Sequence, residues 1–241
     1  MSGRQIFFDI ETTGFRHSEG HRVVEIAAVE YVERQATGNS VHLYFNPERI
    51  VPPEVVKVHG LDNAFLDDKP VFKDTIQQLA DFVHGADEVL IHNGAGFDLP
   101  FMDSELKANG FNPMTSWAVG KFTDTLKIAR AIAGSKKNDL DSLCDKYKVD
   151  RSARTSHGAV IDCELLAEMW YKMTHAVDFG GPDLSKRQEE IQRLTDKPAL
   201  RVVSVSAADQ EAHNAYLAQW KEDAPKAEIL FNEKSSPRHK M

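Results

Sequence analysis

The stretch Gln5-Ile6-Phe7-Phe8-Asp9-Ile10-Glu11-Thr12-Thr13-Gly14 sets an apolar run directly ahead of two acids spaced two residues apart. Gln5 to Ile10 reads as a buried strand that ends at the turn residues Glu11-Thr12-Thr13-Gly14. Side chains two apart on a strand leave the same face, so Asp9 and Glu11 can share one ion. Burying two like charges there is costly without a cation. An edge strand with two solvated acids is the plain alternative for a bare Asp-x-Glu pair. Phe7-Phe8 on one side, and a glycine that permits a tight turn on the other, shift the balance toward a site.

Working outward, Arg22 to Glu33 and Ser40 to Phe45 are β-rich runs, and Ala36-Thr37-Gly38-Asn39 has the residues of a hairpin connection. The chain is thus expected to open with a three-strand antiparallel block. From Pro52 the period turns helical: Pro53-Glu54-Val55-Val56 starts a short helix, and Phe72 to Val83 carries Ile76, Leu79, Ala80 and Val83 on one stripe. Glu88 to Ile91 is a second buried strand. Helical patterns follow at Phe97 to Ala108, Asp124 to Ala133, Leu140 to Tyr147 and Ala159 to Met173. The order β-β-β-α-β-α-α-α predicts an α/β fold in which a mixed sheet is covered by helices.

Beyond Thr174 the texture shifts to His175-Ala176-Val177-Asp178-Phe179-Gly180-Gly181-Pro182. The expected organisation is a catalytic domain over residues 1–174, a flexible hinge over 175–199 and a C-terminal segment over 200–241. In that segment Leu200 to Val205 alternates like a strand, and Ala207 to Trp220 has helical spacing of apolar residues. With 241 residues, 41% apolar and 27% charged, the chain can bury one good core. Cys144 and Cys163 lack any zinc spacing and read as buried, reduced thiols. The absence of a long apolar run and of a signal-peptide pattern predicts a cytoplasmic protein with no membrane partner. A protein that holds nucleic acid mainly through phosphate contacts needs clustered Lys and Arg, so with a net charge of −8 this chain is expected to grip DNA weakly alone. A nucleic-acid substrate would need metal ions and a partner to supply the missing positive charge.

Two further acids stand in suggestive places. Asp98 opens a helix just after the second buried strand and the turn His92-Asn93-Gly94-Ala95-Gly96-Phe97. A capping acid is its ordinary reading, but ligands bind at the carboxyl ends of strands, and both strands deliver acids there. Asp162 falls one turn into the last helix. His157 precedes it by five residues, about 140° around a helix, so it belongs on the loop Arg154-Thr155-Ser156-His157-Gly158 rather than on the same helix face. Four acids and a mobile histidine are what two-metal phosphodiester hydrolysis asks for: oxygen ligands for two divalent cations, Mg²⁺ or Mn²⁺, and a base that works near neutral pH.

Three motifs in order carry a resemblance. Phe8 to Gly14 is similar to the first motif of the DnaQ-like DEDD-His 3′→5′ exonuclease superfamily, His92 to Asp98 to the second, and His157-Gly158-Ala159-Val160-Ile161-Asp162 to the third. The resemblance implies an RNase H-like fold and hydrolysis of nucleic-acid 3′ ends. It implies metal binding by Asp9, Glu11, Asp98 and Asp162, and a general-base role for His157. Val58-His59-Gly60-Leu61 resembles the loop that contacts the terminal nucleotide, so Thr12, Thr13, His59 and Phe97 join Asp9, Glu11 and Asp162 as expected substrate contacts. One departure stands out: Gly94-Ala95-Gly96 supplies three residues between His-Asn and Phe-Asp where two are usual.

Within the superfamily the likeness is to the proofreading epsilon-subunit family of bacterial DNA polymerase III, and it runs through most of residues 4 to 174. That implies a single-stranded DNA 3′ end as substrate and the polymerase III alpha subunit as partner, held through the C-terminal segment. A theta-like subunit and the sliding clamp are further implied partners, although no Gln-x-x-Leu-x-Phe clamp motif is evident. Two other readings compete: a free-standing exonuclease that trims RNA 3′ ends, and a structural replisome subunit without catalysis.

Overall fold

Strand β1 (Arg4–Thr12) is the centre of the molecule, and its alternation explains the two cores. In the computed structural model, which describes residues 3–133, 137–152, 154 and 156–175, Ile6, Phe8 and Ile10 point to one side of the sheet and Phe7 to the other. The first side is covered by helix α4 (Gln77–Val83) through Leu79 and Val83, and by α5 (Asp98–Ala108) through Phe101, Met102 and Leu106. The second is covered by α7 (Leu140–Tyr147) and the long α8 (Ala159–Thr174), which bring Leu143, Cys144, Cys163, Leu166 and Trp170. Both cysteines are buried and free, as expected.

Strands β2 (Val23–Val32) and β3 (Gln35–Tyr44) pair antiparallel beside β1, while β4 (Glu88–Ile91) and β5 (Phe122–Asp124) run parallel to it, giving the order β3-β2-β1-β4-β5. This is the expected mixed sheet of an antiparallel block plus parallel strands. The parallel register aligns Phe8 with Ile91 and Ile91 with Asp124. Asp9, His92 and Thr125 therefore leave three adjacent strands at one level, the edge where the carboxyl ends of the parallel strands open.

The remaining helices are α1 (Pro53–His59), α2 (Asn63–Leu66), α3 (Phe72–Thr75) and α6 (Thr125–Ala133). No helix among the described residues is long and apolar enough to cross a membrane. Apart from His175, the hinge expected over 175–199 and the C-terminal segment expected over 200–241 lie outside the described residues.

Several boundaries differ from the sequence reading, each for a local reason. The hairpin turn is Glu33-Arg34, at φ 50° and 70°, not Ala36 to Asn39. Two consecutive positive φ values match the twist of the flanking strands. Thr37, Gly38 and Asn39 instead form a bulge where the register skips between Val29 and Tyr31. Thr37 Oγ1 and Asn39 Nδ2 donate to the Glu30 carboxylate there, at 2.8 and 2.7 Å. Strand β1 continues past Ile10 because Glu11 and Thr12 still find partners in Glu25 and Val23. The helix expected over Phe72 to Val83 is interrupted at Ile76, whose backbone stays helical at φ −60°, ψ −22°. Strand β5 is three residues long, too short for any period to announce it.

Candidate active site

Asp9 and Glu11 stand on the face of β1 that α8 covers, half-buried at the mouth of a cleft. Asp98 and Asp162 sit in the first turns of α5 and α8 and are only 3% and 4% exposed. Helix N-termini favour negative charge, which is why the fold tolerates buried carboxylates at both places. Glu25 is a fifth acid: it lies directly across from Glu11 on β2, is buried, and accepts a 2.7 Å contact from His42 Nε2.

The acids hold one another's protons. Burial pushes the Asp9 carboxyl well above the ordinary range, and the charges of Asp98, Glu11 and Asp162 push it further. Burial, then Asp162 and Glu25, raise Glu11 to about 8. Asp98 is raised to about 7 by burial, partly offset by backbone N–H groups of Asp98 and Ile10, with Asp124 adding repulsion. Oxygens of Glu11 and Asp162 and a nitrogen of His157 lie within 4.8 Å of one another, a spacing that suits one cation. Asp162 Oδ1 is also buried without an aligned hydrogen-bond partner. The donor set thus fits a hard divalent cation, which would replace the protons that Asp9 and Glu11 retain at neutral pH.

A pH dependence follows. In the unfolded chain Glu11 and Asp98 release their protons near 4.5 and 3.8, whereas in the fold they hold them to about 8 and about 7. Between those limits the native state binds more protons, so stability falls as pH rises, by at most about 1.4 kcal/mol per pH unit for each group. An EDTA-treated sample is expected to melt progressively lower from pH 5 to pH 8, and Mg²⁺ is expected to remove most of the decline. A melting temperature independent of both pH and Mg²⁺ would contradict the clustering of these acids.

His157 comes from the loop before α8, as the sequence suggests, with its side chain 49% exposed. Its backbone N–H donates to Val58 O at 3.0 Å, tying the loop to α1. Its Nδ1 lies 3.3 Å from Asp162 Oδ2 and accepts a 2.7 Å hydrogen bond from Arg154 Nη2. Arg154 is 7% exposed and also donates from Nη2 to Asp162 Oδ2 at 2.7 Å and from Nη1 to Asp141 Oδ1. Its Nε is 2.6 Å from Asp162 Oδ1, an ion-pair contact without hydrogen-bond alignment.

The remaining expected residues lie nearby with mixed duties. Thr13 is fully buried and its Oγ1 accepts from Arg22 N at 3.0 Å and meets His21 Nδ1 at 3.1 Å. Thr12 Oγ1 donates to Gly14 O at 2.7 Å. His59 is buried; its Nδ1 accepts from Leu61 N at 3.0 Å, while Nε2 has no aligned partner, although the Thr12 carbonyl is near enough to favour a charged ring. Burial nevertheless dominates and lowers the His59 pKa. Phe97 caps α5 and packs on Phe101 with ring centroids 5.6 Å apart.

The extra residue of the second motif is absorbed in a turn: Asn93 adopts φ 63° and its carbonyl accepts from both Gly96 and Phe97. A Cβ on Gly94 would lie 2.6 Å from Ile91 Cβ, so that position needs glycine, whereas one on Gly96 would meet only the end of the Asn93 side chain, at 2.7 Å from Oδ1. Asp98 consequently still opens its helix.

Asp9, His157 and Asp162 line a cleft of about 490 Å³ together with Arg130 and Lys137. A larger groove of about 880 Å³ lies behind Arg154 and lacks the acid cluster, so the chemistry belongs to the smaller cleft. Sequence reasoning missed Glu25, Asp124 and Arg154. The first two become visible only once strand register is known, since their partners lie on neighbouring strands. Arg154 had a weak signal, a lone cation in the loop that carries His157.

Known proteins resemble this chain in sequence and in fold. The RNase_T exonuclease family model matches residues 6–170. The chain is 41% identical over 225 residues to the DNA polymerase III subunit epsilon of Salmonella typhimurium, covering 89% of this chain and 92% of that one. It is 42% identical over 243 residues to the subunit of the same name from Pasteurella multocida, covering 96% and 90%. Among solved structures it is similar in fold to Exonuclease X in complex with 5′ overhanging duplex DNA, with TM-score 0.56 and 23% identity over 71% of this chain and 92% of that one. A zinc-bound complex of Escherichia coli exonuclease I with single-stranded DNA gives TM-score 0.62 at 16% identity, over 80% of this chain and 43% of that one.

Proposed function

The chain belongs to the RNase_T exonuclease family and, within it, to the DNA polymerase III epsilon subunits, and from that premise we propose how its site works. The activity is 3′→5′ excision of mispaired nucleotides from DNA 3′ ends by two-metal hydrolysis, in proofreading for the replicative polymerase. The observation that carries the reading is the meeting of Asp9, Glu11, Asp98 and Asp162, from one strand and two helix starts, with His157 poised over them.

In this reading the four acids hold Mg²⁺ or Mn²⁺. Bound there, divalent ions supply positive charge to the scissile phosphate and to the departing 3′ oxygen. His157 takes the proton from the attacking water. Thr12, Thr13, His59 and Phe97 bound the space for the terminal nucleotide, and the buried, neutral-leaning ring of His59 supports a polar contact there. Arg130 and Lys137, which line the same cleft, suit the phosphates of the strand.

A labelled, mispaired primer incubated with and without Mg²⁺, beside an RNA oligonucleotide, tests reaction and substrate together. Stepwise release of nucleotides from the DNA 3′ end, dependent on Mg²⁺, is expected. Preferential shortening of the RNA would replace proofreading by RNA trimming, and no cleavage of either would leave a structural subunit.

The net charge of −8 supports a tethered enzyme. A nuclease with weak grip on DNA gains an effective concentration on the order of millimolar from a short flexible linker. The partner is the alpha subunit of the polymerase, bound through residues 200–241, with a theta-like subunit and the sliding clamp as further contacts. Truncation after Thr174 is expected to spare hydrolysis of single-stranded DNA and to abolish co-purification with the polymerase. Undiminished binding by the truncated chain would move the docking role to residues 1–174.

A further inference from the structure

Arg154 contributes positive charge among the four acids, and its contacts compete with the roles assigned to two of the residues it touches. Both oxygens of Asp162 face its guanidinium, at 2.6 and 2.7 Å. The same guanidinium donates to His157 Nδ1. A guanidinium has donors and no acceptor, so His157 Nδ1 must present its lone pair, and the proton of the neutral ring then sits on Nε2. In that arrangement neither ring nitrogen is free to take a proton from water.

A dication entering beside Asp162 meets the guanidinium as a like charge at contact distance. The fold offers Arg154 a second place. Its side chain lines both the acid cleft and the larger groove, whose charged lining is mixed, with Asp150, Glu164 and Glu168 beside Arg34, Arg151 and Lys172. Asp141, which Nη1 already contacts, has a side chain 41% exposed, outside the acid cluster's buried part.

We infer that Arg154 is a positioning residue that stands in for the cation in the metal-free site, and that metal entry turns it from Asp162 and His157 toward Asp141, freeing His157 Nδ1 to accept a proton. The base is thereby released only where metal is bound. This rests on the reading of the acids as metal ligands.

The test uses the full chain and two readouts besides activity. Ring nitrogen NMR of wild type in EDTA is expected to show His157 as the Nε2–H tautomer with Nδ1 hydrogen-bonded, and Mg²⁺ is expected to abolish the Nδ1 hydrogen bond. Mn²⁺ titrated against Arg154→Met is expected to bind about tenfold tighter than against wild type, because a competing cation is gone. Arg154→Lys, which keeps the charge but not the fork, should bind Mn²⁺ closer to wild type. Equal or weaker Mn²⁺ binding by Arg154→Met overturns the inference, as does a His157 spectrum indifferent to Mg²⁺ in wild type. Failure of the underlying metal reading is distinct: wild type would then bind no Mn²⁺, or Asp9→Ala would bind it as well as wild type does, and the Arg154 inference would fall with it.

Discussion

Asp9→Ala is expected to abolish excision, with a loss of at least about a thousandfold, while leaving the fold intact. Asp9 leaves the centre of β1 toward Asp98, Glu11 and Asp162, so its removal takes one oxygen ligand from the middle of the set. Loss of charge stabilisation worth several kcal/mol in the transition state corresponds to a rate loss of about that size. Stability should move the other way. The Asp9 carboxyl is pushed well above its ordinary pKa by burial and by its neighbours, which means that the metal-free fold carries a cost there at neutral pH. The EDTA-treated variant is therefore expected to melt no lower than wild type at pH 8. Primer excision with Mg²⁺, measured beside thermal denaturation, decides it. Near-normal excision would remove Asp9 from the site, and a collapsed melting curve would make it a structural residue.

His157→Ala is expected to slow excision by about two to four orders of magnitude, the usual worth of a positioned general base. The acidic limb of its pH profile should flatten, because an imidazole that must accept a proton loses that capacity as pH falls. The position of His157 raises one rival role. Its nitrogen lies within 4.8 Å of Glu11 and Asp162 oxygens, close enough to ligate a cation with them. Mn²⁺ affinity separates the two: a base leaves it nearly unchanged in the variant, whereas a ligand lowers it together with the rate. An unchanged rate and pH profile would leave His157 as a surface residue of the loop before α8.

Much of the candidate site is legible in the sequence. Asp9 and Glu11 could be placed on one face because the strand period is a local property of the backbone. Asp98 could be placed at a helix start because the glycine turn and the following period mark it, and the third residue of that turn left it there, with Asn93 taking the left-handed backbone. His157 could be moved off the helix by counting degrees around the axis. What failed in the fold were features with competing local signals. Thr37-Gly38-Asn39 has turn chemistry, yet pairing of the flanking strands made it a bulge and left the turn to Glu33-Arg34, which carry no turn signature beyond their polarity.

By itself, then, the amino-acid order determined the strand and helix periods, the mixed α/β plan, the four acids with their histidine, and a net charge of −8. Each of these depends on spacing along the chain or on composition. Tertiary structure alone decided which charges act on those acids. Glu25 confronts Glu11 through antiparallel register, Asp124 approaches Asp98 through a three-residue parallel strand, and Arg154 folds back onto Asp162 and His157. The physical reason is that Coulomb energy depends on distance in space and on local burial, and neither quantity can be read from separation in sequence.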